Sequence, residues 1–432
     1  MQNDWVQQLQ SQFGDAVTTD ADAFSVQGVR PACVCAPVDE AQAAAVIRCA
    51  AAQRIPVVPC GGGTEQGRGL PPPPSFLALS TRRLKKLIHH EPGDMVATVQ
   101  GGMGIDDFQK AISQGGQWLP LDALPSATIG GMVAANTFGA RAFGYGTLRD
   151  MILGITVING DGVLRKCGGK VVKNVTGYSL DKLYIGSHGT LGLVSEVTFK
   201  LRPFPVKARG WTVFLPDFKA GIKLLRVVSA LNLPFDMIQV TSPEVREPAP
   251  DFYSPTFDVF ACGSPPELER IAADLRAAVP ANFEIIPTAV GAVPPDMKIK
   301  AELAWGRDFG YNGIAHEGWI PKRGGKPGAT VRIGYVSSQL ESALAVIDKY
   351  QNVPKSVGHS CGVIDLSPLT ESEAARIASE FEKRGVNFAF ENVVGLKIEN
   401  RWGSPRPEWA IMKQIKAALD PAGIMNPGRF VC

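Results

Sequence analysis

The chain has 432 residues, of which 45% are hydrophobic and 20% are charged, and its formal net charge is +3. This length exceeds what one ordinary hydrophobic core organises, so we expect two or three globular domains. The small net charge, without a long run of Lys or Arg, argues against a nucleic-acid-binding protein.

The cysteines and the N-terminal sequence bear on metal sites and on the cellular compartment. None of the eight cysteines forms a C-x-x-C pair, so we expect no metal site and no iron–sulfur cluster supplied by this chain alone. The first residues lack the basic and apolar regions of a signal peptide. No uninterrupted apolar run reaches the roughly twenty residues of a membrane span. We therefore expect a cytoplasmic protein with free thiols.

The first two hundred residues alternate strand and helix patterns. Asp39 is the expected N-cap of an alanine-rich helix that ends at Gln53. Asp161 and Gly162 predict the turn of a hairpin, whereas His89 and His90 are expected in a surface turn. The expected helices cover 4–14, 39–53 and 104–114, and the expected strands cover 33–37, 57–59, 95–100, 151–159, 163–167 and 193–201.

The sequence pattern changes after Pro203. Strand and helix patterns alternate over 210–290 and again over 330–390, whereas 291–329 is rich in Gly and Pro and is expected to be irregular. The expected helices cover 218–231, 265–278, 338–351, 370–384 and 407–419, and the expected strands include 211–214 and 257–262.

Three glycine-rich turns lie between Pro59 and Glu196. They read P-C-G-G-G-T-E-Q-G-R-G at 59–69, P-S-A-T-I-G-G-M-V-A-A-N at 125–136 and G-S-H-G-T-L-G-L-V-S-E at 186–196. A residue without Cβ lets backbone N–H groups approach an anion closely, so the three turns predict one long phosphate-containing ligand. No G-K-[ST] follows the first turn, which argues against a nucleotide hydrolase.

In this order, and with N-P-G-R-F at 426–430, the three turns resemble the FAD-binding domain of the vanillyl-alcohol oxidase / p-cresol methylhydroxylase superfamily. K-N-V-T-G-Y-S at 173–179 is most similar to the smaller FAD-binding subunit of glycolate oxidase. The resemblance is strong over 31–204, good over the last thirty residues and weak over 205–385. It implies an α+β fold, in which a PCMH-type FAD-binding domain of two α+β subdomains is joined to an α/β cap (substrate) domain.

The resemblance also implies four parts of the chain. These are an N-terminal helical segment (1–30), the FAD-binding domain (31–204), the cap domain (205–400) and a C-terminal helix and tail (401–432) that pack back on the FAD domain.

By this resemblance the cofactor is FAD, bound noncovalently because no His or Cys stands at the family's usual flavin-linking positions. The loop at 61–64 would hold the pyrophosphate through backbone N–H groups, and the second turn would run past the same group. The residues implied to bind FAD are Pro59, Gly61, Gly62, Gly63, Thr64, Glu65, Gly67, Pro125, Ser126, Thr128, Gly130, Gly131, Asn136, Gly139, Tyr145, Gly146, Gly192, Val194 and Asn426.

The second domain departs from the family pattern. Catalytic members of this branch carry H-x-G-D-G-N-x-H and E-H-G-I-G, whereas this chain has H-S-C-G-V-I-D at 359–365 and E-N-V-V-G-L-K at 391–397. Oxidation of a 2-hydroxy acid needs a base for the hydroxyl proton while hydride moves to the flavin. The candidate catalytic residues are Arg307, for a substrate carboxylate, with His359 and Glu391. A metal held by His316, His359 and Glu391 is not expected.

Three functions follow from these patterns. The leading hypothesis is an FAD-binding subunit of a glycolate oxidase-like complex that oxidises glycolate or D-lactate. A larger flavoprotein subunit would carry the catalytic carboxylate-binding machinery, and an iron–sulfur subunit would take the electrons. These partners leave open a peripheral association with the inner membrane. The alternatives are a stand-alone FAD-dependent oxidase or dehydrogenase of another substrate, and a noncatalytic flavoprotein scaffold or electron-transfer subunit.

Overall fold

The computed structural model describes residues 4–170, 178–241, 255–288, 328–334, 339–347, 349, 355–358, 363–394, 396–398 and 401–430. Within these ranges the α-helices are Asp4–Phe13, Glu40–Gln53, Ile105–Ser113, Ile129–Ala135, Ala142–Tyr145, Leu148–Met151, Asp181–Tyr184, Phe218–Ser229, Pro265–Ala278, Leu340–Ile347, Glu371–Lys383 and Glu408–Leu419. None of these helices is long and apolar enough to cross a membrane.

The strands of the described residues form four sheets. They are β1 (Val17–Thr18), β2 (Cys33–Cys35), β3 (Val57–Cys60), β4 (Leu77–Ser80), β5 (Leu87–Glu91), β6 (Val96–Gln100), β7 (Gln117–Trp118), β8 (Ile152–Asn159), β9 (Leu164–Gly168), β10 (Gly192–Lys200), β11 (Arg202–Pro203), β12 (Lys207–Phe214), β13 (Met237–Thr241), β14 (Thr256–Gly263), β15 (Ile285–Thr288), β16 (Gly328–Gly334), β17 (Lys355–Gly358), β18 (Val363–Leu369) and β19 (Asn387–Val394).

The first sheet has the order β1-β2-β4-β3, and β4 pairs in parallel with both β2 and β3. Helix Glu40–Gln53 makes the crossover from β2 to β3 and begins where the Asp39 carboxylate accepts the Gln42 N–H at 2.8 Å. Its alanines are small enough to pack closely, and Ala43, Ala50 and Ile47 are fully buried. This unit delivers the end of β3 directly into the first glycine-rich turn.

The second sheet is antiparallel, with the order β5-β6-β10-β8-β9. Helices Ile105–Ser113 and Ile129–Ala135 bury their apolar residues against it, in a cluster that includes Phe108, Val133 and Phe199. The pairing of β10 with β8 shifts register between Val194 and Glu196. Such a bulge bends the strand locally, here beside the second glycine-rich turn.

Beyond the two-stranded pair β7–β11, strands β12 to β19 form an eight-stranded sheet, ordered β15-β12-β14-β13-β17-β18-β16-β19. All its pairings are antiparallel. Four helices supply apolar side chains to its core, which includes Trp211, Leu225, Phe257 and Phe381. Capping boxes begin two of these helices, at Ser264 and at Thr370. The described parts thus combine helices with mainly antiparallel sheets, which is an α+β fold.

Most predicted elements are found within one to a few residues of their predicted bounds, and the helix over 265–278 agrees at both ends. The surface turn predicted for His89 and His90 is wrong, because both residues lie in edge strand β5 and pair with β6. Strand β4 and helix Ile129–Ala135 were not predicted. Most of the segment predicted to be irregular, 291–327, lies outside the described residues.

Candidate cofactor site

A cleft runs between the first two sheets, and its walls come from four separate parts of the chain. The predicted cofactor residues that line it are Pro59, Gly61, Gly62, Gly63, Thr64, Glu65, Thr128, Gly130, Gly131, Gly192, Val194 and Asn426. All three glycine-rich turns and the C-terminal N-P-G-R motif therefore meet at one place.

The first two turns touch each other at the cleft wall. A Cβ added to Gly62 would overlap the carbonyl oxygen of Ser126, and one added to Gly61 would overlap the Thr128 hydroxyl. Gly63 adopts φ +80°, which side chains with a Cβ rarely adopt. Gly61 and Gly62 are therefore needed because the second turn lies too close for a Cβ, and Gly63 is needed because of its positive φ.

The third turn and helix Ile129–Ala135 form the floor. Gly130 donates its N–H to the Gly101 carbonyl at 2.7 Å, and Gly101 donates in turn to Ser195, the bulge residue of β10, at 2.7 Å. A Cβ at Gly130 would stand 3.0 Å from the carbonyl oxygen of Val194. The glycines therefore set the spacing between helix and sheet as well as the surface of the cleft.

The C-terminal segment, residues 420–430, closes the cleft beside β3. The N–H of Asn426 donates to the Val57 carbonyl at 2.7 Å, and the Asn426 amide nitrogen donates to the His188 carbonyl at 2.6 Å. Lys416 anchors the segment, since its ammonium donates to Asp420 at 2.5 Å and to the Met425 carbonyl at 2.7 Å. Residues about 370 positions apart in the sequence are thereby joined.

Basic and amide side chains hold carbonyl groups of the first glycine loop, residues 61–70. Arg429 donates to the carbonyls of Gln66 and Leu70, both at 2.8 Å. Gln27 donates to the Gly69 carbonyl at 2.9 Å, and Arg401 holds Gln27 at 2.7 Å. Arg401 also donates directly to the Gly69 carbonyl. These contacts fix the orientation of the loop.

The cleft is electropositive. Arg68 pairs with Glu65 at 2.7 Å, but Arg429 is 3% exposed and donates only to neutral oxygens among the described residues. Burial, followed by the nearby charge of Arg401, lowers the pKa of Arg429 to about 10, where the guanidinium is still charged at neutral pH. Burial, with Arg68 and Arg429, lowers the pKa of His188 to about 3, so this imidazole is neutral.

Three buried polar atoms at the cleft have no hydrogen-bond partner among the described residues: the Thr128 hydroxyl, the Asn426 side-chain oxygen and Nε of Arg429. Buried polar groups are nearly always paired, so unpaired ones at a cleft wall are consistent with partners on a ligand. A ligand with phosphates and hydroxyl groups fits this set, because it offers acceptors to Arg429 and donors to Asn426. The residues present therefore fit a dinucleotide cofactor.

Cys60 also lines the cleft, directly before the glycines. Its thiol is buried, and burial raises its pKa to about 12. A buried, protonated thiol is a poor nucleophile. The chemistry of this residue therefore disfavours a covalent flavin link at this position.

The remaining predicted cofactor residues do not line the cleft: Gly67, Pro125, Ser126, Asn136, Gly139, Tyr145 and Gly146. Gly67 and Ser126 support its walls, through the contacts of the first loop and the overlap with Gly62. Tyr145 lies against Trp118 and reaches Cys262 of the eight-stranded sheet. It therefore belongs to the contact between the sheets.

Of the predicted catalytic residues, Arg307 and His359 lie outside the described residues, as does His316. Glu391 lies in β19, where its backbone is opposite Thr330 of β16. The described residues contain no cluster of His, Cys, Asp and Glu arranged to hold a metal ion.

Sequence reasoning missed three charged or titratable residues of the cleft: Arg68, His188 and Arg429. Each stands inside a motif that was recognised for its glycines, in Q-G-R-G, G-S-H-G and N-P-G-R. Arg68 lies between two glycines and Arg429 directly follows one, so a cation beside the glycines of a predicted phosphate site was the available signal for these two residues.

Comparison with known proteins identifies two family models. One, described as an FAD binding domain, matches residues 31–168, and one, described as the C-terminal domain of FAD linked oxidases, matches residues 400–430. The glycolate oxidase subunit GlcD of Bacillus subtilis is 34% identical over 93% of this chain and 89% of its own length. The mitochondrial D-lactate dehydrogenase [cytochrome] of Arabidopsis thaliana is 32% identical over 99% of this chain and 80% of its own length.

Solved structures agree with these matches at the level of the fold. A structure of p-cresol methylhydroxylase with substrate bound superposes with a TM-score of 0.74 at 18% identity, covering 99% of this chain and 96% of that one. An alkyldihydroxyacetonephosphate synthase superposes with a TM-score of 0.72 at 16% identity, covering 98% and 85%.

Proposed function

This chain belongs to the FAD-linked oxidases, and we propose that it is an FAD-dependent dehydrogenase of 2-hydroxy acids that holds FAD noncovalently in the cleft. Bound FAD supplies the acceptor for two electrons from the substrate. The relatives support this substrate class, since they are named for the oxidation of glycolate and D-lactate, and a further relative in Xanthomonas citri for D-2-hydroxyglutarate.

The observation that carries the proposal is the meeting of three glycine-rich turns and the N-P-G-R motif around one electropositive cleft. Backbone of the first and second turns would contact the pyrophosphate, and Gly192 and Val194 would border the remainder of the cofactor. Asn426 lines the cleft, donates its amide nitrogen to the His188 carbonyl and would offer its unpaired side-chain oxygen to the cofactor. Arg307, His359 and Glu391 are the residues we propose for substrate binding and proton transfer.

We also propose the four parts of the chain given above: 1–30, 31–204, 205–400 and 401–432. Separate hydrophobic cores support a division near Pro203, since one cluster lies on the eight-stranded sheet and others lie on the first two sheets. The cap built on the eight-stranded sheet would then border the substrate.

For the substrate we propose glycolate or D-lactate, with electrons passed to partner subunits in the cytoplasm or at the inner membrane. The B. subtilis relative is named as a subunit of glycolate oxidase, which supports an assembly. A larger flavoprotein and an iron–sulfur chain are the partners we propose for this assembly.

Anaerobic reduction tests the function. The purified protein should show flavin absorbance, and glycolate, D-lactate and D-2-hydroxyglutarate should be added separately, with the L-enantiomers as controls. Bleaching by one of these acids and not by its enantiomer supports the proposal. If the protein contains no flavin after mild purification and binds none when FAD is added, the proposed cofactor is contradicted. If the flavin absorbance persists with every acid, the proposed reaction is contradicted.

A second candidate is a noncatalytic flavoprotein subunit, which the Asn at position 392 favours, since catalytic members of the resembled branch have His there. The same titration, repeated with candidate partner subunits, separates the two functions. Bleaching only in the presence of a partner, at a rate unchanged by Glu391→Gln, identifies this chain as the noncatalytic member.

A further inference from the structure

Arg429 is a buried arginine of the cleft that has a donor left over. Its two terminal nitrogens are used by the first glycine loop, at the carbonyls of Leu70 and Gln66, both at 2.8 Å. Its Nε is buried and has no partner among the described residues. The residue itself lines the cleft, beside the first glycine loop.

The charge of Arg429 is also uncompensated. The side chain is 3% exposed, and within the part of the chain that the structure describes its hydrogen bonds go only to Leu70 and to the backbone and side chain of Gln66. An isolated buried charge is unfavourable unless a counter-charge is present. The neighbouring His188 is neutral, and Arg401 adds a second positive charge close by. An anion in the cleft supplies the missing counter-charge.

The position of Arg429 beside the first glycine loop indicates which group of the ligand is the anion. The guanidinium is bound to the loop whose glycines Gly61 and Gly62 bring backbone into direct contact with the second turn. Arg429, Gln27 and Arg401 hold carbonyl groups of this loop, and its residues Gly61, Gly62 and Gly63 line the cleft. Backbone N–H groups and a guanidinium converge in the manner of a diphosphate site.

Resting on the proposed function, we propose that Arg429 is a cofactor-binding residue, which donates through Nε to the diphosphate of FAD while its terminal nitrogens hold the loop. The C-terminal segment thus supplies the counter-charge of the cofactor site as well as covering it. Asn426, three residues earlier, offers the unpaired acceptor to a hydroxyl group of the same ligand.

The test compares ligands with and without phosphate on the full-length apoprotein. FAD and riboflavin are titrated, with binding followed by flavin fluorescence, into the wild type and into Arg429→Met. A charge-assisted hydrogen bond to phosphate predicts that the variant binds FAD about 10- to 100-fold more weakly. Riboflavin, which has no phosphate, should change by less than about threefold, because the lost partner is absent from it.

Arg401→Met is the matched control. Arg401 is 4% exposed and donates to the same loop, but it does not line the cleft. Its removal disturbs loop support without removing a ligand contact, so the loss of FAD affinity should be smaller than for Arg429→Met. Added salt should weaken FAD binding by the wild type and by Arg401→Met more than by Arg429→Met, since screening acts on the charge pair.

Equal FAD affinity of the wild type and Arg429→Met overturns the inference and leaves the proposed function standing. A parallel loss of riboflavin affinity, or an equal effect of Arg401→Met, also overturns it, because loop support then accounts for the result. Absence of FAD binding by the wild type overturns both proposals. If Arg429→Met lacks the circular dichroism of the folded wild type, Arg429→Gln, which keeps a donor for the loop but no charge, gives the same comparison.

Discussion

At the scale of single residues, the cleft depends on close backbone contacts and on one unusual histidine. Gly62 has no space for a methyl group because the Ser126 carbonyl oxygen occupies it. His188 has φ +52° and packs its ring against Trp402 and Phe430 with centroid distances of 5.0 and 5.1 Å. Both residues join the cleft wall to segments far away in the sequence.

Gly62→Ala should separate the first two turns, because the added methyl group meets backbone that cannot rotate away. Overpacking of this kind costs about 1–3 kcal/mol, and we expect at least about tenfold weaker FAD binding. Chemical denaturation and a flavin titration measure the two effects. Gly334→Ala, at a position with no atom within 4 Å of the added Cβ, is the control and should leave both unchanged. Wild-type affinity in Gly62→Ala argues against close packing of the two turns.

His188→Asn should change how stability depends on pH. The pKa of His188 is lowered from 6.5 to about 3, so between these values the unfolded chain binds a proton that the folded chain excludes. Folding stability is therefore lost as pH falls below about 6.5, by at most about 2 kcal/mol at pH 5. Asn tolerates the positive φ and does not titrate. Apoprotein unfolding at several pH values should show a shallower loss in the variant between pH 6.5 and 5; parallel curves contradict the prediction.

At the scale of elements, the C-terminal helix Glu408–Leu419 positions the C-terminal segment, residues 420–430. Lys416 is 9% exposed and donates to the Thr190 and Met425 carbonyls at 2.6 and 2.7 Å, besides its ion pair with Asp420. Asp420 is 1% exposed and accepts the N–H groups of Ile424 and Met425. The turn before Asn426 is therefore built around one buried ion pair.

Lys416→Met should leave Asp420 buried without its cation, which costs about 3–5 kcal/mol of unfolding free energy. FAD affinity should fall as well, because the misplaced turn carries Asn426. Lys413→Met, an exposed position on the same helix, is the control, and we expect less than about 0.5 kcal/mol there. Denaturant unfolding of both variants is the measurement. Adding Asp420→Asn to Lys416→Met should recover part of the loss; an additive further loss contradicts a coupled pair.

Local patterns predicted those elements whose signals lie within one stretch of chain. Helix Glu40–Gln53 has its cap at Asp39, and Pro265–Ala278 has a proline at its first position, so their ends are visible in the sequence. Edge strand β5 was missed because L-I-H-H-E has no buried face to create an alternating pattern. Helix Ile129–Ala135 was missed because two glycines weaken its propensity, whereas its formation depends on contact with Gly101 and β10.

The glycines of the candidate site could be predicted from the sequence, whereas the roles of its charged residues could not. Glycines at fixed spacing mark backbone conformation, which the sequence displays locally. The roles of Arg68 and Arg429 depend on which carbonyls and which cleft they reach, and those lie up to about 360 positions away. Such long-range pairing follows from the sheet order and from the returning C-terminal segment.

At the scale of the whole molecule, FAD should act as a common partner for four distant segments. The first segment lies at the end of β3 and the second at the start of helix Ile129–Ala135. The third lies just before β10, and the fourth follows helix Glu408–Leu419. A ligand that binds only the folded state raises the free energy of opening of every element that it contacts, because opening that element releases the ligand.

Hydrogen exchange with and without FAD should therefore show protection in 57–69, 126–136, 186–194 and 424–430 together. The helices Phe218–Ser229 and Pro265–Ala278, which pack on the eight-stranded sheet away from the lining residues, serve as the internal reference and should exchange alike in both samples. Protection confined to one of the four segments contradicts a shared site.

The first glycine loop is held by Gln27, by the N–H of Val393 at Gly67, by Arg401 and by Arg429. These residues emerge from the ribosome at very different times, because a chain is synthesised from its N-terminus at roughly 5–20 residues per second. Gln27 and Gly61 are made well before Val393, Arg401 and Arg429. The cofactor pocket therefore takes its final form only after residue 429 has left the exit tunnel.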